Sequence, residues 1–196
     1  MQNYLITFVK QQKSNRNKLA ELSMSPILHT KRLILREFLL EDAEDMFHLN
    51  DDPEVIKYTG DVRFESIDDA AKLIRNYSDY KRNGFGRWSV LLKADNSFIG
   101  WCGLKKHPEG FVDIGYRFFK KQWNKGYATE AAKACIEYGF NTLELEEIIG
   151  RTAKENKASI RVFEKLNLNF IKYDECEGIE NSAFYSLTKE QYNKTK

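Results

Sequence analysis

Proline, cysteine and histidine are scarce in this chain, with three of each in 196 residues. Cys102, Cys135 and Cys176 are odd in number and far apart, which excludes a secreted disulfide framework and fits reduced thiols in a cytoplasmic protein. No CxxC or HxH pair is present, and His29, His48 and His107 stand alone, so no metal site is expected. An excess of one charge is missing too. Thirty-one basic against twenty-nine acidic side chains leave a net charge of +2, too little to draw nucleic acid or an anionic membrane from a distance. The apolar run Tyr4 to Val9 is too short to span a bilayer and has no basic residue before it, which excludes a transmembrane helix and a signal peptide there. The chain reads as soluble and cytoplasmic, and any anion it binds must be held by local geometry.

What is present is a core. Hydrophobic residues make up 42% of the chain and aromatics 13%, enough for one substantial domain. Residues 1–25 stand apart, because an apolar patch is followed by the polar, basic KQQKSNRNK. They read as an N-terminal extension, either inert, with Met24 as the natural start, or packed on the domain as an arm. Residues 26–196 carry no repeat and no linker and are read as a single domain.

Strand-like alternation begins at KRLILREF. Ala43, Met46 and Phe47 then mark a short helix ending near Pro53. Ser66 and Asp69 form a capping pair for a helix with Ile67, Ala70, Ala71, Ile74 and Tyr77 on one face, ending at Asn83-Gly84. RWSVLLK and SFIGWCGLKK read as a hairpin, and FVDIGYRFF as a further strand whose interior glycine signals a bulge or a close approach to the backbone. A helix through about Phe140 follows, with Tyr127, Ala131, Cys135 and Tyr138 along one stripe. EIIGRTA, NKASIRVFEKL, NFIKYDE and NSAFYSL complete the order as strand, helix and two strands. The pattern is a mixed α/β sheet.

The stretch WNKGYATEA, residues 123–131, sets a glycine just before a helix. A helix's first turn has backbone N–H groups without partners and a positive partial charge, so it suits a phosphate or pyrophosphate. Gly126 permits unusual dihedrals and close approach, and Ala128 adds little bulk. The same glycine also suits a plain turn. No Lys-Ser/Thr pair follows it and the triple glycine is missing, which excludes a P-loop and a dinucleotide fingerprint.

Four segments in order, TKRLILREF, FIGWCGL, DIGYRFFKKQWNKGYATEAA and NKASIRVFEKL, resemble the GNAT acetyltransferase superfamily, in its ribosomal-protein N-terminal acetyltransferase (RimJ/RimL-like) branch. The resemblance covers roughly residues 27–190. It implies a central, mostly antiparallel sheet of six or seven strands with a splayed pair, about four flanking helices, and acetyl-CoA as cosubstrate. It places the CoA pyrophosphate on the loop Trp123, Asn124, Lys125, Gly126, Tyr127 and Ala128. The strand edge at Tyr116, Arg117 and Phe118 would pair with the pantetheine amides. Asn156 would contact the pantetheine arm while also capping the next helix. Trp123 replaces the Arg or Gln of many members, and Asn124 stands where this branch often has a second glycine.

The implied reaction is direct attack of a primary amine on the acetyl thioester. Where many members carry a tyrosine that protonates the departing thiolate, this chain has Phe163. A thiol of pKa about 8.5 leaves tolerably without help. Ser159 is a candidate donor, although its place suits an ordinary first-turn helix residue better. Asp113 is the candidate base, or else an ion-paired strand carboxylate. Tyr58, Phe85, Trp88 and Trp101 are candidates for the acceptor pocket or for the core. An α-amino group, with a pKa near 8, is easier to deprotonate than a lysine near 10.4, and a protein N-terminus and a small-molecule amine both qualify. The chain is expected to act as a monomer or homodimer. A non-catalytic acyl-CoA sensor and an ATP-binding protein are the rival readings.

Overall fold

The structure is a computed structural model that describes residues 26–176 and 178–194. The reading of residues 1–25 as an extension lies outside the described residues.

The chain begins with a two-residue strand β1 (Leu28–His29) and β2 (Leu33–Arg36). A 3-10 turn, Leu40–Asp42, leads into α1 (Ala43–Asp51), α2 (Pro53–Ile56), α3 (Ile67–Asn76) and α4 (Asp79–Asn83). Strands β3 (Arg87–Leu92), β4 (Phe98–Lys106) and β5 (Val112–Phe118) precede α5 (Tyr127–Asn141). Then come β6 (Glu147–Ala153), α6 (Lys157–Lys165), β7 (Asn169–Cys176), β8 (Ile179–Thr188) and α7 (Lys189–Lys194). The described residues form one eight-stranded sheet in the order β1-β2-β3-β4-β5-β6-β8-β7. Every neighbouring pair is antiparallel except β5 and β6. The mixed, mostly antiparallel sheet matches the reading from sequence, and β1 is short enough to explain the one strand beyond the six or seven expected.

Side chains alternate across the sheet and divide the packing. Leu104, Cys102, Ile114 and Phe118 bury one face against Ala131, Cys135, Ile136 and Phe140 of α5 and against Phe163 of α6. Cys135 is fully buried, 3.7 Å from Cys102, as a core residue should be. On the opposite face, Met46 and Leu49 of α1 and Ala70 of α3 form a second cluster with Phe98 of β4 and Val55 of α2. Asp42 fastens this layer to the sheet. Its carboxylate accepts two 2.7 Å bonds from Arg36 on β2, one of 2.6 Å from the Ser89 hydroxyl on β3, and one of 2.9 Å from the Leu39 N–H.

The helix expected from Ser66 to Gly84 is broken. Ser66 caps α3 as its sequence suggests, and Gly84, at φ 76°, ends α4. Between them Tyr77 turns extended, at φ −69° and ψ 103°. The break lets two phenols reach one peptide segment: the Tyr77 hydroxyl accepts from the Arg87 N–H at 2.6 Å, and the Tyr80 hydroxyl donates to the Arg87 carbonyl. Any side chain at Gly86 would strike both rings, with a Cβ 2.7 Å from Tyr80 and 2.9 Å from Tyr77. A straight helix would forfeit this clasp on the start of β3.

Asp42→Asn tests the clasp between the helical layer and the sheet. It leaves the buried Arg36 guanidinium without its buried counter-charge, only the exposed Glu41 carboxylate remaining at 3.7 Å, and removing one partner of a buried pair costs about 3–5 kcal/mol. Chemical denaturation should show a lower midpoint with an unchanged slope.

Candidate active site

Strands β5 and β6 run parallel but share only two registered positions, Asp113 with Ile149 and Ile114 with Gly150. Beyond these both strands continue, to Phe118 and Ala153, without pairing to each other. A cavity of about 770 Å³ passes through the opening. Gly115, Tyr116 and Arg117 line one bank, and Arg151, Thr152 and Ala153 the other.

The loop after β5 lies at the open end of this fork, by chain order. Asn124 and Gly126 both have left-handed backbones, at φ 59° and 80°. The N–H groups of residues 124–129 donate to no acceptor among the described residues, and residues 123–126 are exposed. A row of free amides at the start of the 15-residue α5 is the geometry an anion needs. The loop does not line the cavity itself.

Two anchors hold the loop. The Trp123 indole donates to the Phe118 carbonyl at 2.8 Å, tying the loop back to the end of β5. Arg32, from the β1–β2 turn, donates through Nη1 to the Lys125 carbonyl at 2.9 Å and through Nε to Glu130 at 2.7 Å. Its guanidinium also lies 4.4 Å from the centre of the Tyr127 ring. Burial acts to raise the Glu130 carboxyl, but bonds from Thr30 and Arg32 outweigh it and hold the group below the usual carboxylate range. Arg32 and Glu130 were not singled out from sequence, because they lie 98 positions apart and only the fold joins them.

Asn156 caps α6, its Oδ1 accepting from the Ser159 N–H at 3.1 Å, and both residues line the cavity. The Ser159 carbonyl accepts from the Tyr116 hydroxyl at 3.3 Å. Tyr116 stands edge-on to Phe163, with centroids 6.2 Å apart, and burial pushes its phenol well above the usual range, so it stays protonated.

Across the sheet, Asp113 is 5% exposed and fully engaged. Oδ1 accepts from Arg87 at 2.6 Å; Oδ2 accepts from Arg151 at 3.0 Å and lies 3.2 Å from His107 Nε2. Burial works to raise this carboxyl, but Arg87, His107 and Arg151 together hold it far below the usual range. A carboxylate held so low is a poor proton acceptor. Of the two readings open for Asp113, the ion-paired one is what this geometry supplies. Arg87 reaches it by crossing β4 and β5, donating to the Gly103 carbonyl on the way. A Cβ on Gly115 would sit 2.5 Å from the Arg87 Nη2, so the interior glycine does mark a close approach. Of the four aromatics proposed for the acceptor pocket, Tyr58 and Trp101 line the cavity, whereas Phe85 and Trp88 are core.

Residues 32–169 match the family model described as "Acetyltransferase (GNAT) domain". The chain is 32% identical over 173 residues to the uncharacterized N-acetyltransferase p20 of Bacillus licheniformis, covering 84% of this chain and 97% of that protein. It is 33% identical over 189 residues to the FsC-acetyl coenzyme A-N(2)-transacetylase of Aspergillus fumigatus, covering 87% and 80%. The crystal structure of a GNAT-family acetyltransferase from Bacillus anthracis superposes with a TM-score of 0.72 at 31% identity, covering 83% of this chain and 98% of that one. The fold and the forked site define an acetyltransferase of the GNAT type. This chain belongs to that family and is an N-acetyltransferase using acetyl-CoA. The family is a coarser assignment than the ribosomal-protein branch that the sequence resembles. No helix among the described residues is long and apolar enough to cross a membrane.

Asp113→Asn should destabilise the protein by about 3–5 kcal/mol at neutral pH, by leaving Arg87 and Arg151 facing a neutral amide. A carboxyl lowered on folding contributes stability that is present above its unfolded value and lost as pH falls toward its folded one. Denaturation across a pH series should therefore show the gap between wild type and variant constant above pH about 4 and shrinking below it.

Proposed function

We propose that this chain transfers the acetyl group of acetyl-CoA to a primary amine by direct attack, with the fork between β5 and β6 as the reaction channel. The observation that carries the proposal is the end of β5–β6 pairing at Ile114 and Gly150, with unpartnered loop amides at the fork's open end. The amides of Asn124 to Ala128 hold the pyrophosphate, aided by the positive end of α5. Trp123, Arg32 and Lys125 shape that loop. The pantetheine arm runs along Tyr116 to Phe118 and past Asn156, whose side-chain carbonyl is committed to its cap.

In the transfer, the amine nitrogen bonds to the acetyl carbon and the carbon–sulfur bond breaks. The amine loses one proton and the departing sulfur gains one. Tyr116 and Ser159 bring the hydroxyl groups on this side of the channel, where Phe163 has none. A phenol is intrinsically a stronger acid than an alcohol, so Tyr116 is the better donor of the two even though burial weakens it and its proton rests on the Ser159 carbonyl. Its presence reduces the support that Phe163 gave to a non-catalytic sensor. Asp113 fixes Arg87 and Arg151 at the channel floor, and the amine's proton passes to water. A protein N-terminus and a small-molecule amine both suit this channel; the ribosomal-protein branch favours the former.

Titration calorimetry with CoA and a thiol-release assay with amine acceptors test the proposal together. Gly126→Asp should weaken CoA binding about tenfold or more, since a side chain at φ 80° costs about 1–2 kcal/mol and the added carboxylate repels the diphosphate. Unchanged affinity would remove the loop from the site. Tyr116→Phe should lower kcat by about 10²-fold with little change in the KM for acetyl-CoA, as loss of a general acid does. An unchanged kcat would assign the proton to solvent.

A further inference from the structure

Four of the five cations lining the cavity have a carboxylate beside them among the described residues. Arg82 pairs with Asp79, Arg117 with Asp61, and Arg87 and Arg151 share Asp113. Lys105 is the fifth cation of the lining, and no carboxylate lies within ion-pair distance of it among the described residues. Its position explains why. Lys105 stands directly opposite Asp113 in the β4–β5 register, where a lysine would normally find its partner. Asp113 is already taken by two guanidinium groups and His107, so the lysine charge is left over.

A second donor is idle on the same face. The Arg117 Nε is buried and has no hydrogen-bond partner, although its Nη atoms bond Asn50 and Asp61. A buried donor without an acceptor is costly, and a ligand oxygen would relieve it. Trp101, whose ring lies 5.3 Å from the Arg117 guanidinium and 5.6 Å from that of Arg87, walls the space between.

We infer that the acceptor is an amine that itself carries an acidic group, carboxylate or phosphate, which this cavity holds through the Arg117 Nε and the unbalanced charge of Lys105. The inference rests on the acetyl-transfer reading and narrows it: the transfer is the one written above, and the acid group takes no part in bond making. A polyamine, cationic along its whole length, would meet Lys105 and the arginines unfavourably.

The test uses the full chain and paired acceptors that differ only in the acid: diglycine against diglycinamide, and phosphoethanolamine against ethanolamine, with spermidine as the cationic control. Initial rates of CoA release should favour one acidic member by about tenfold or more in kcat/KM, and the pair that responds separates carboxylate from phosphate. Lys105→Glu should cut that preference at least tenfold with CoA affinity unchanged. Arg117→Lys, which keeps the charge and removes Nε, should lower it as well. Equal rates within both pairs, or a preference for spermidine, would overturn the inference and leave the acetyltransferase assignment standing. Should no acceptor be acetylated, calorimetry with N-acetyldiglycine and its amide on the CoA-mixed protein decides the matter separately. Tighter binding of the acid supports the inference, and equal or weaker binding refutes it.

Discussion

Two parallel strands that start side by side and then part leave main-chain donors and acceptors facing a gap, and such groups need partners. In this chain the gap cannot close by simple sliding. β5 is zipped to β4 from Val112 to Phe118 on its outer side, and β6 to β8 from Glu147 to Ala153 on its own. Drawing the two together past Ile114 and Gly150 would break one ladder or the other. The fork is therefore held open by the sheet around it. The helix after each strand, α5 and α6, begins where the strands have separated, which brings the positive ends of two helices to the same end of the fork.

The polar side of the sheet is arranged about the same point. Arg87 comes from β3, Asp113 from β5 and Arg151 from β6, and their contacts tie the three strands together at the last residues where main-chain pairing survives. A buried ion network of this kind is weak as a source of stability but strongly sensitive to loss of one member. Its geometry depends on two glycines: Gly115, whose missing side chain leaves room for the Arg87 guanidinium, and Gly103, where a Cβ would strike the Gly86 carbonyl oxygen. The paired tyrosines of the broken helix grip the Arg87 backbone and set where its side chain begins.

Much of this was legible in the sequence because the signals were local. Alternation gave the strands, Ser66 and Asn156 gave their helix caps, and Gly126 before a run of helix formers gave the loop. The glycine inside β5 announced a close approach but not the visitor, since Arg87 lies 26 positions from Asp113 and nothing in either neighbourhood names the other. The same holds for Arg32 and Glu130, and for His107, which read as an isolated histidine and is instead buried, stacked on Phe111 at 4.6 Å and in contact with Asp113. The break at Tyr77 escaped because the apolar face continues through it. A tertiary hydrogen bond decides that position, and local pattern has no access to it.

The three tryptophans occupy three different surroundings. Trp88 is sealed in the core, edge-on to Tyr138; Trp101 stands in the cavity beside two guanidinium groups; Trp123 is partly exposed on the loop. Indole emission depends on the charge and water around the ring, so these side chains form a built-in set of optical reporters. One is a steady internal standard, one sees whatever enters the cavity, and one sees the loop before α5, each readable by silencing the other two.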